Sequence, residues 1–148
     1  MNKKYLGMLG LGCGVLLLTG CGGGKTLTCK SDTSEQLAGL GKWDTEVILD
    51  YDNDGEKVES TTMKMTIEFT NEDVTDEMID SFKETLGQSC GSEDAESFDK
   101  CEVKKDGRKL TLEAKGPAEA NDDLAGITEK TALEEAKKLL EEQGFTCE

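Results

Sequence analysis

The residues whose spacing is most typical of metal ligands form a short acidic run, Asp50-Tyr51-Asp52-Asn53-Asp54-Gly55. Carboxylates at its first, third and fifth positions and a glycine at the sixth match the first half of an EF-hand calcium loop. The second half does not match, because the twelfth position, which should hold a bidentate glutamate, is Thr61. Asp, Asn and Gly are also the residues expected at a hydrophilic hairpin tip. The run therefore predicts a turn, and the alternative is weak calcium binding by Asp50, Asp52 and Asp54.

Enzymatic chemistry has few candidate residues in this chain. Histidine is absent, which removes Ser-His-Asp and Cys-His catalysis and the commonest general base. Two carboxylates about 5–10 Å apart could form a glycosidase pair, but the 32 acidic residues do not single out any pair. The acidic clusters at residues 93–96 and 122–123 are typical of solvated loops. We expect a non-catalytic protein without a cofactor. Weak calcium binding is the second interpretation, and a carboxylate-based hydrolase is the third.

The N-terminus contains the parts of a secretory signal in order. Two lysines precede an apolar run from Leu6 to Leu18, which is shorter than the ~20 residues that a transmembrane helix needs. The next residues, Leu18-Thr19-Gly20-Cys21, resemble a lipobox, the site at which bacterial lipoproteins are acylated on cysteine and cleaved. The resemblance implies a signal peptide over residues 1–20 and a palmitate-bearing Cys21. Residues 21–24, the lipidated Cys21 and a glycine tether, would then join a membrane anchor to a domain that faces outside the cytoplasm.

The net charge of the chain limits the classes of partner that it can bind. Removing the signal removes two lysines and no acid, so the 17 basic residues fall to 15 while 32 acids remain, a net charge of −17. A domain this acidic repels phosphate backbones, so we expect no nucleic-acid partner. The expected partners are the membrane, through the anchor on Cys21, and an envelope protein or small ligand.

Four of the six cysteines remain in the body once the one inside the signal and the lipidated one are set aside. In an exported chain an even set favours two disulfides, for which three connectivities exist. Cys90 and Cys101 are close in sequence, and Cys29 and Cys147 lie at the two ends of the domain. The expected pairs are therefore Cys29–Cys147 and Cys90–Cys101. A zinc site made of all four is the alternative, although the paired C-x-x-C spacing of such sites does not occur.

Several segments of the body have the pattern of short strands. Every second residue from Met63 to Phe69 is apolar. This alternation predicts an antiparallel strand with one buried face and one solvent-exposed face. Turn residues at 52–55 and the Asp106-Gly107 pair predict hairpins on either side of the chain's middle. Trp43 lies where a loop gives way to a strand and is expected to anchor the core. The other predicted strands cover residues 26–30, 44–51, 101–105 and 109–115.

Two helices are predicted from apolar residues at helical spacing. The first begins with Thr75 as a hydroxyl cap and is expected to stop at Gly87. The second begins with a capping box at Thr131 and ends before Gly144, which is expected at the C′ position. The order β-β-β-α-β-β-α predicts an α+β fold, an antiparallel sheet of about five strands with both helices on one face. Residues 25–148 are expected to form one domain.

The ending of the chain suggests a family. Gly126-Ile127-Thr128, followed by the Glu/Lys/Leu-rich helix from Glu134 to Phe145, adds to the lipobox start, the β-rich first half and the Asp-Gly hairpin. Together these features resemble the YehR-like small lipoproteins, a family of unknown function. The resemblance implies an α+β domain on a lipid anchor and assigns no catalytic residues. The four body cysteines depart from the pattern of that family.

Overall fold

The computed structural model describes residues 24–32, 39–90, 98–118 and 126–148 of the chain. The signal segment, Cys21 and the acidic clusters at residues 93–96 and 122–123 lie outside these ranges. In chain order, the elements of the described part are β1 (Lys25–Asp32), β2 (Gly41–Tyr51), β3 (Val58–Phe69), α1 (Asp76–Cys90), β4 (Lys100–Asp106), β5 (Lys109–Gly116), α2 (Leu133–Glu142) and β6 (Thr146–Cys147).

All the strands of the described part belong to one antiparallel sheet, in the order β4-β5-β3-β2-β1-β6. The α+β fold and the order of its predicted elements are confirmed. The expected number of about five strands misses β6, which consists of Thr146 and Cys147 alone. Two residues are too few to produce an alternating pattern, so only their pairing with Cys29 and Lys30 of β1 identifies them as a strand.

Both helices pack on the same face of the sheet, as predicted. Cross-strand partners point to the same side, so the register identifies each face. Near one edge, Ala136 and Leu140 of α2 pack over apolar residues of β1 and β2. Toward the other edge, Ile79 and Phe82 of α1 pack over β3 and β5. The apolar strand residues beneath the helices include Leu27, Val47, Leu49, Ile67, Phe69 and Leu110.

Helix α1 begins as predicted but ends later. The Thr75 hydroxyl accepts a hydrogen bond from the N–H of Met78 (3.3 Å), so it caps the first turn. The helix then continues through Gly87 to Cys90, and the expectation that Gly87 stops it is wrong. A disulfide between Cys90 and Cys101 of β4 ties the last turn to the sheet, which compensates for the weak helix propensity of glycine.

The predicted capping box of α2 is also wrong. The N-cap residue is Ala132, which makes no side-chain capping hydrogen bond. The Thr131 hydroxyl oxygen instead accepts the N–H of Thr128 (2.9 Å) and closes the turn before the helix. The N–H of Leu133 donates to the carbonyl of Gly55 (2.9 Å). A tertiary contact with the β2–β3 turn therefore satisfies one of the N–H groups that the first turn of a helix leaves without an intrahelical partner.

Helix α2 ends at Glu142, and Gly144 occupies the C′ position, as the sequence predicts. Gly144 has φ 90°, a left-handed conformation that favours glycine. Its N–H donates to Glu141 (3.0 Å), and the N–H of Phe145 donates to Leu140 (3.0 Å). These two bonds form a Schellman motif. The motif turns the chain so that β6 returns along β1.

Two disulfides join the pairs that the sequence favours, Cys29–Cys147 and Cys90–Cys101. Cys29 is fully buried and lies directly opposite Cys147 in the β1–β6 register. Beside this bridge, Thr28 and Glu148 exchange backbone hydrogen bonds of 3.2 and 2.8 Å. All four body cysteines are therefore bonded to one another, and none is left as a thiolate for the zinc alternative.

Candidate functional site

The face of the sheet opposite the helices, which we call the open face, is polar. The alternation predicted for β3 places Lys64, Thr66 and Glu68 there, and the register brings polar residues of the neighbouring strands beside them. The open face comprises Thr26, Thr28, Lys30 and Asp32 of β1, Lys42, Asp44, Glu46, Ile48 and Asp50 of β2, Ser60, Thr62, Lys64, Thr66 and Glu68 of β3, Lys109, Thr111, Glu113 and Lys115 of β5, Lys100, Glu102, Lys104 and Asp106 of β4, and Thr146 of β6.

A row of alternating charges crosses the centre of the open face. Lys30, Glu46, Lys64 and Glu113 are neighbours in the registers of β1, β2, β3 and β5, whose strands lie about 4.8 Å apart. Lys30 forms an ion pair with Glu46 at 3.3 Å. Glu113 pairs with Lys100 at 2.9 Å. Lys64 lies between the two glutamates, and no ion pair within 4.0 Å involves it in the described ranges.

A concavity of about 580 Å³ lies on this face, over β1, β2 and β3 and toward the start of β5. Its volume is in the range of small-molecule sites, roughly 300–1,000 Å³. Its lining combines ammonium, carboxylate and hydroxyl groups, so it suits a polar ligand that exchanges hydrogen bonds and ion pairs. The lining residues used below are Lys30, Asp32, Asp44, Glu46, Lys64, Thr66 and Lys109.

The carboxylates at the β4 edge of the open face are held as ion pairs. Lys100 contacts Glu102 at 2.8 Å and Glu113 at 2.9 Å, and Lys104 contacts Glu102 at 2.7 Å. Hydrogen bonds from Lys100 and Lys104 lower the pKa of Glu102 to about 2. The hydrogen bond from Lys100 also lowers the pKa of Glu113. A general acid needs a raised pKa, so these two glutamates are suited to ion pairing rather than to acid catalysis.

The three aspartates of the acidic run make different contacts. Asp50 belongs to the open face, where it accepts hydrogen bonds from the Ser60 hydroxyl (2.8 Å) and the Thr26 hydroxyl (3.2 Å). Asp52 turns into the β2–β3 turn. Asp54 contributes its backbone carbonyl, which accepts a hydrogen bond from Lys25 (3.0 Å). The spacing that resembles a calcium loop in sequence therefore does not bring these carboxylates together.

Asp52 serves the backbone of its own turn. Its Oδ1 accepts the N–H groups of Gly55 (2.8 Å), Glu56 (3.1 Å) and Lys57 (3.4 Å). Desolvation raises the pKa of the Asp52 carboxyl, but backbone hydrogen bonds from residues 54–57 outweigh it, so the pKa is lowered. In the described part of the chain, no group of three or more His, Cys, Asp or Glu side chains is placed to hold a metal ion.

We expect the acidic turn to bind no calcium more tightly than about 10 μM, the range of sensor EF-hands. The carboxylates of Asp50 and Asp52 are hydrogen-bonded to different groups, and the Asp52 oxygen that faces the turn is already used by three N–H groups. Calorimetry of CaCl2 added to the domain from Lys25 onward measures this. A dissociation constant below that value, abolished by Asp54→Asn, would restore the calcium alternative.

The two aromatic side chains of β2 that the sequence singles out are both part of the core. Trp43 packs half-buried in the cluster of α1, so its expected anchoring role is confirmed. Tyr51 is fully buried in the cluster of α2. Its hydroxyl has no hydrogen-bond partner among the described residues. Burial, together with the negative charge of Glu135, raises the pKa of Tyr51 to about 12.

Two further observations bear on function. Neither of the helices that the structure describes has the length and apolar composition needed to cross a bilayer. No protein-family model, curated protein or solved structure matches this chain.

Proposed function

We propose that the chain is a non-catalytic, lipid-anchored lipoprotein of the cell envelope, and that its domain binds a polar partner on the open face. The observation that supports binding is the concavity of about 580 Å³ on a face that carries neither described helix. The lipobox at Cys21 supports the anchor. The resemblance to the YehR-like lipoproteins supports the same arrangement and assigns no ligand.

Lys64 is the side chain of this face best placed to meet a partner. A solvent-exposed polar face is common in antiparallel sheets. The arrangement of charges on this face is therefore better evidence for binding than its polarity. The two glutamates opposite Lys64 are engaged elsewhere, Glu46 with Lys30 and Glu113 with Lys100. The ammonium group of Lys64 is thereby available to an anionic group of the partner. The hydroxyl of Thr66, two residues along the same face, lies within the same concavity.

Photo-crosslinking in the native envelope tests the binding face. A photoreactive amino acid in place of Thr66 is expected to give a discrete adduct, a protein by gel shift or a small ligand by mass. The same amino acid in place of Lys138, an exposed residue of α2, is the matched control and is expected to give none. Combining the Thr66 probe with Lys64→Glu should abolish the adduct. Equal adducts at both positions, or an adduct insensitive to Lys64→Glu, would refute the proposed face.

Acylation of Cys21 has its own test. Metabolic labelling with a clickable palmitate analogue is expected to mark the wild-type chain and not Cys21→Ala, because the thiol is the only group of the lipobox that can carry the lipid. Cys13→Ala is the matched control and should label like the wild type, since residue 13 leaves with the signal. Equal labelling of Cys21→Ala would show that the anchor is misassigned.

A further inference from the structure

We infer that the anchor holds the end of the sheet that carries Lys25 and the β2–β3 turn beside the membrane, and that the concavity lies toward the end of the domain that is distant from the lipid. Its ligand would then arrive from the aqueous phase and would not be a lipid headgroup. This inference rests on the proposed acylation of Cys21 and adds the orientation of the domain to it.

The length of the tether limits how far the domain can move from its anchor. Four Cα–Cα steps separate Cys21 from Lys25, the first residue of β1. An extended chain spans at most ~3.6 Å per residue, so Lys25 stays within about 14 Å of the acylated cysteine. That distance is shorter than β1, β2 or β3, so one end of the domain must stay close to the bilayer.

The register identifies which end this is. Lys25 pairs with Tyr51, the last residue of β2, and its ammonium group reaches the carbonyl of Asp54 in the turn that follows. The first residue of α2, Leu133, is hydrogen-bonded to Gly55 of the same turn. The start of β1, the β2–β3 turn and the N-terminus of α2 therefore form a single end of the domain, which we call the proximal end.

The concavity lies toward the opposite end of the strands. Asp32, the last residue of β1, pairs with Asp44 of β2, and both line the concavity with Lys109 at the start of β5. Lys25 and Asp32 are seven residue steps apart along β1. A strand rises about 3.4 Å per residue, so these two positions are roughly 24 Å apart. An anchor at the proximal end leaves the concavity accessible from the aqueous side.

The open face carries nearly equal numbers of basic and acidic residues, so even with Lys64 unpaired it gives little net attraction that would lay the domain flat on an anionic bilayer. Attraction to such a surface needs unmatched basic residues. The central row alternates in sign, with Lys30 paired to Glu46. At the β4 edge, Lys100 is shared between Glu102 and Glu113. The paired carboxylates cancel much of the attraction that these lysines would otherwise provide.

The single tryptophan makes this orientation measurable. Trp43 lies eight residues before Tyr51 on β2, about 27 Å along the strand from the proximal end, and it is the only tryptophan of the chain. We would place the acylated full chain on vesicles of phosphatidylcholine and phosphatidylglycerol that contain a dansyl-labelled headgroup. Energy transfer from the wild-type chain then reports the distance of Trp43 from the lipid surface.

The matched variant combines Trp43→Phe with Asn53→Trp, which moves the donor to an exposed position of the β2–β3 turn. Transfer from position 53 is expected to be several-fold more efficient than transfer from position 43. Equal transfer, or stronger transfer from Trp43, would overturn the inference, because the concave end would then lie on the lipid. Flotation with the vesicles is measured first. An acylated chain that does not float would refute the anchor itself, and the inference would fall with it.

Discussion

Replacing Cys29 and Cys147 together by alanine is expected to lower the free energy of unfolding by about 5 kcal/mol. The bridge closes a loop of sequence separation 118, and a loop of that size restricts the unfolded chain strongly. In the folded state it also holds β6, which has only two residues in its ladder. A loss of this size is comparable with the whole stability of many domains, about 5–15 kcal/mol.

The second disulfide provides the matched comparison. Cys90 and Cys101 are separated by 11 residues, so replacing both by alanine is expected to cost only about 3 kcal/mol. Urea unfolding followed by circular dichroism measures both variants against the wild type. Non-reducing peptide mapping confirms the pairs beforehand. Equal losses from the two double variants, or a peptide that links Cys29 to Cys90, would contradict the assignment of the long bridge.

Local patterns in the sequence were sufficient for the sheet and its two faces. Alternation from Met63 to Phe69 has a period of two, and the pattern is complete within one strand. The concavity could not be predicted in the same way. Its lining joins Lys30, Asp44, Thr66 and Lys109 from four strands, and only the strand register places them side by side. Register depends on pairings between residues far apart in the chain.

The wrong expectations share a physical cause, which is the effect of tertiary contacts on local signals. Gly87 is a plausible helix stop in isolation, but the bridge from Cys90 to β4 extends α1 past it. Thr131 has the residue type of an N-cap, yet its hydroxyl closes a turn with Thr128 while Leu133 binds the β2–β3 turn. Local propensity is a weak predictor where a distant segment supplies the partner.

The acidic run shows the same limit at the level of a site. Its residue types and spacing agree with half of a calcium loop, and both Asp50 and Asp52 are indeed at a hairpin. Sequence does not specify where each carboxylate points. The pleat directs Asp50 to the open face, while backbone N–H groups draw Asp52 into the turn. The direction of a side chain, more than its type, decides whether carboxylates can share an ion.

The core contains a buried tyrosine hydroxyl that no pattern in the sequence predicts. Tyr51 is fully buried, and its hydroxyl has no hydrogen-bond partner among the described residues. Leaving such a group unpaired costs about 1–3 kcal/mol. Tyr51→Phe removes the hydroxyl and keeps the ring in the cluster of α2, so we expect it to raise the free energy of unfolding at pH 7 by about 1 kcal/mol.

The same tyrosine is expected to make stability depend on pH in the alkaline range. Its pKa is about 12 in the folded chain, against 10.0 for an ordinary tyrosine. Between these values the unfolded chain releases the proton first, so ionisation stabilises the unfolded state. The free energy of unfolding should therefore fall by up to about 3 kcal/mol as the pH rises to 12, and this loss should be absent below about pH 9.

Urea unfolding of the wild type and Tyr51→Phe at pH 7, 9, 10, 11 and 12 separates this effect from the titration of lysines, which both chains share. The difference in the free energy of unfolding between variant and wild type should be constant up to pH 9 and then widen in favour of the variant. Because a phenylalanine side chain cannot ionise, the widening isolates the tyrosine proton. A difference that stays constant to pH 12 would show that the hydroxyl ionises as easily in the folded chain as in the unfolded one, and hence that it is not buried as the packing of α2 requires.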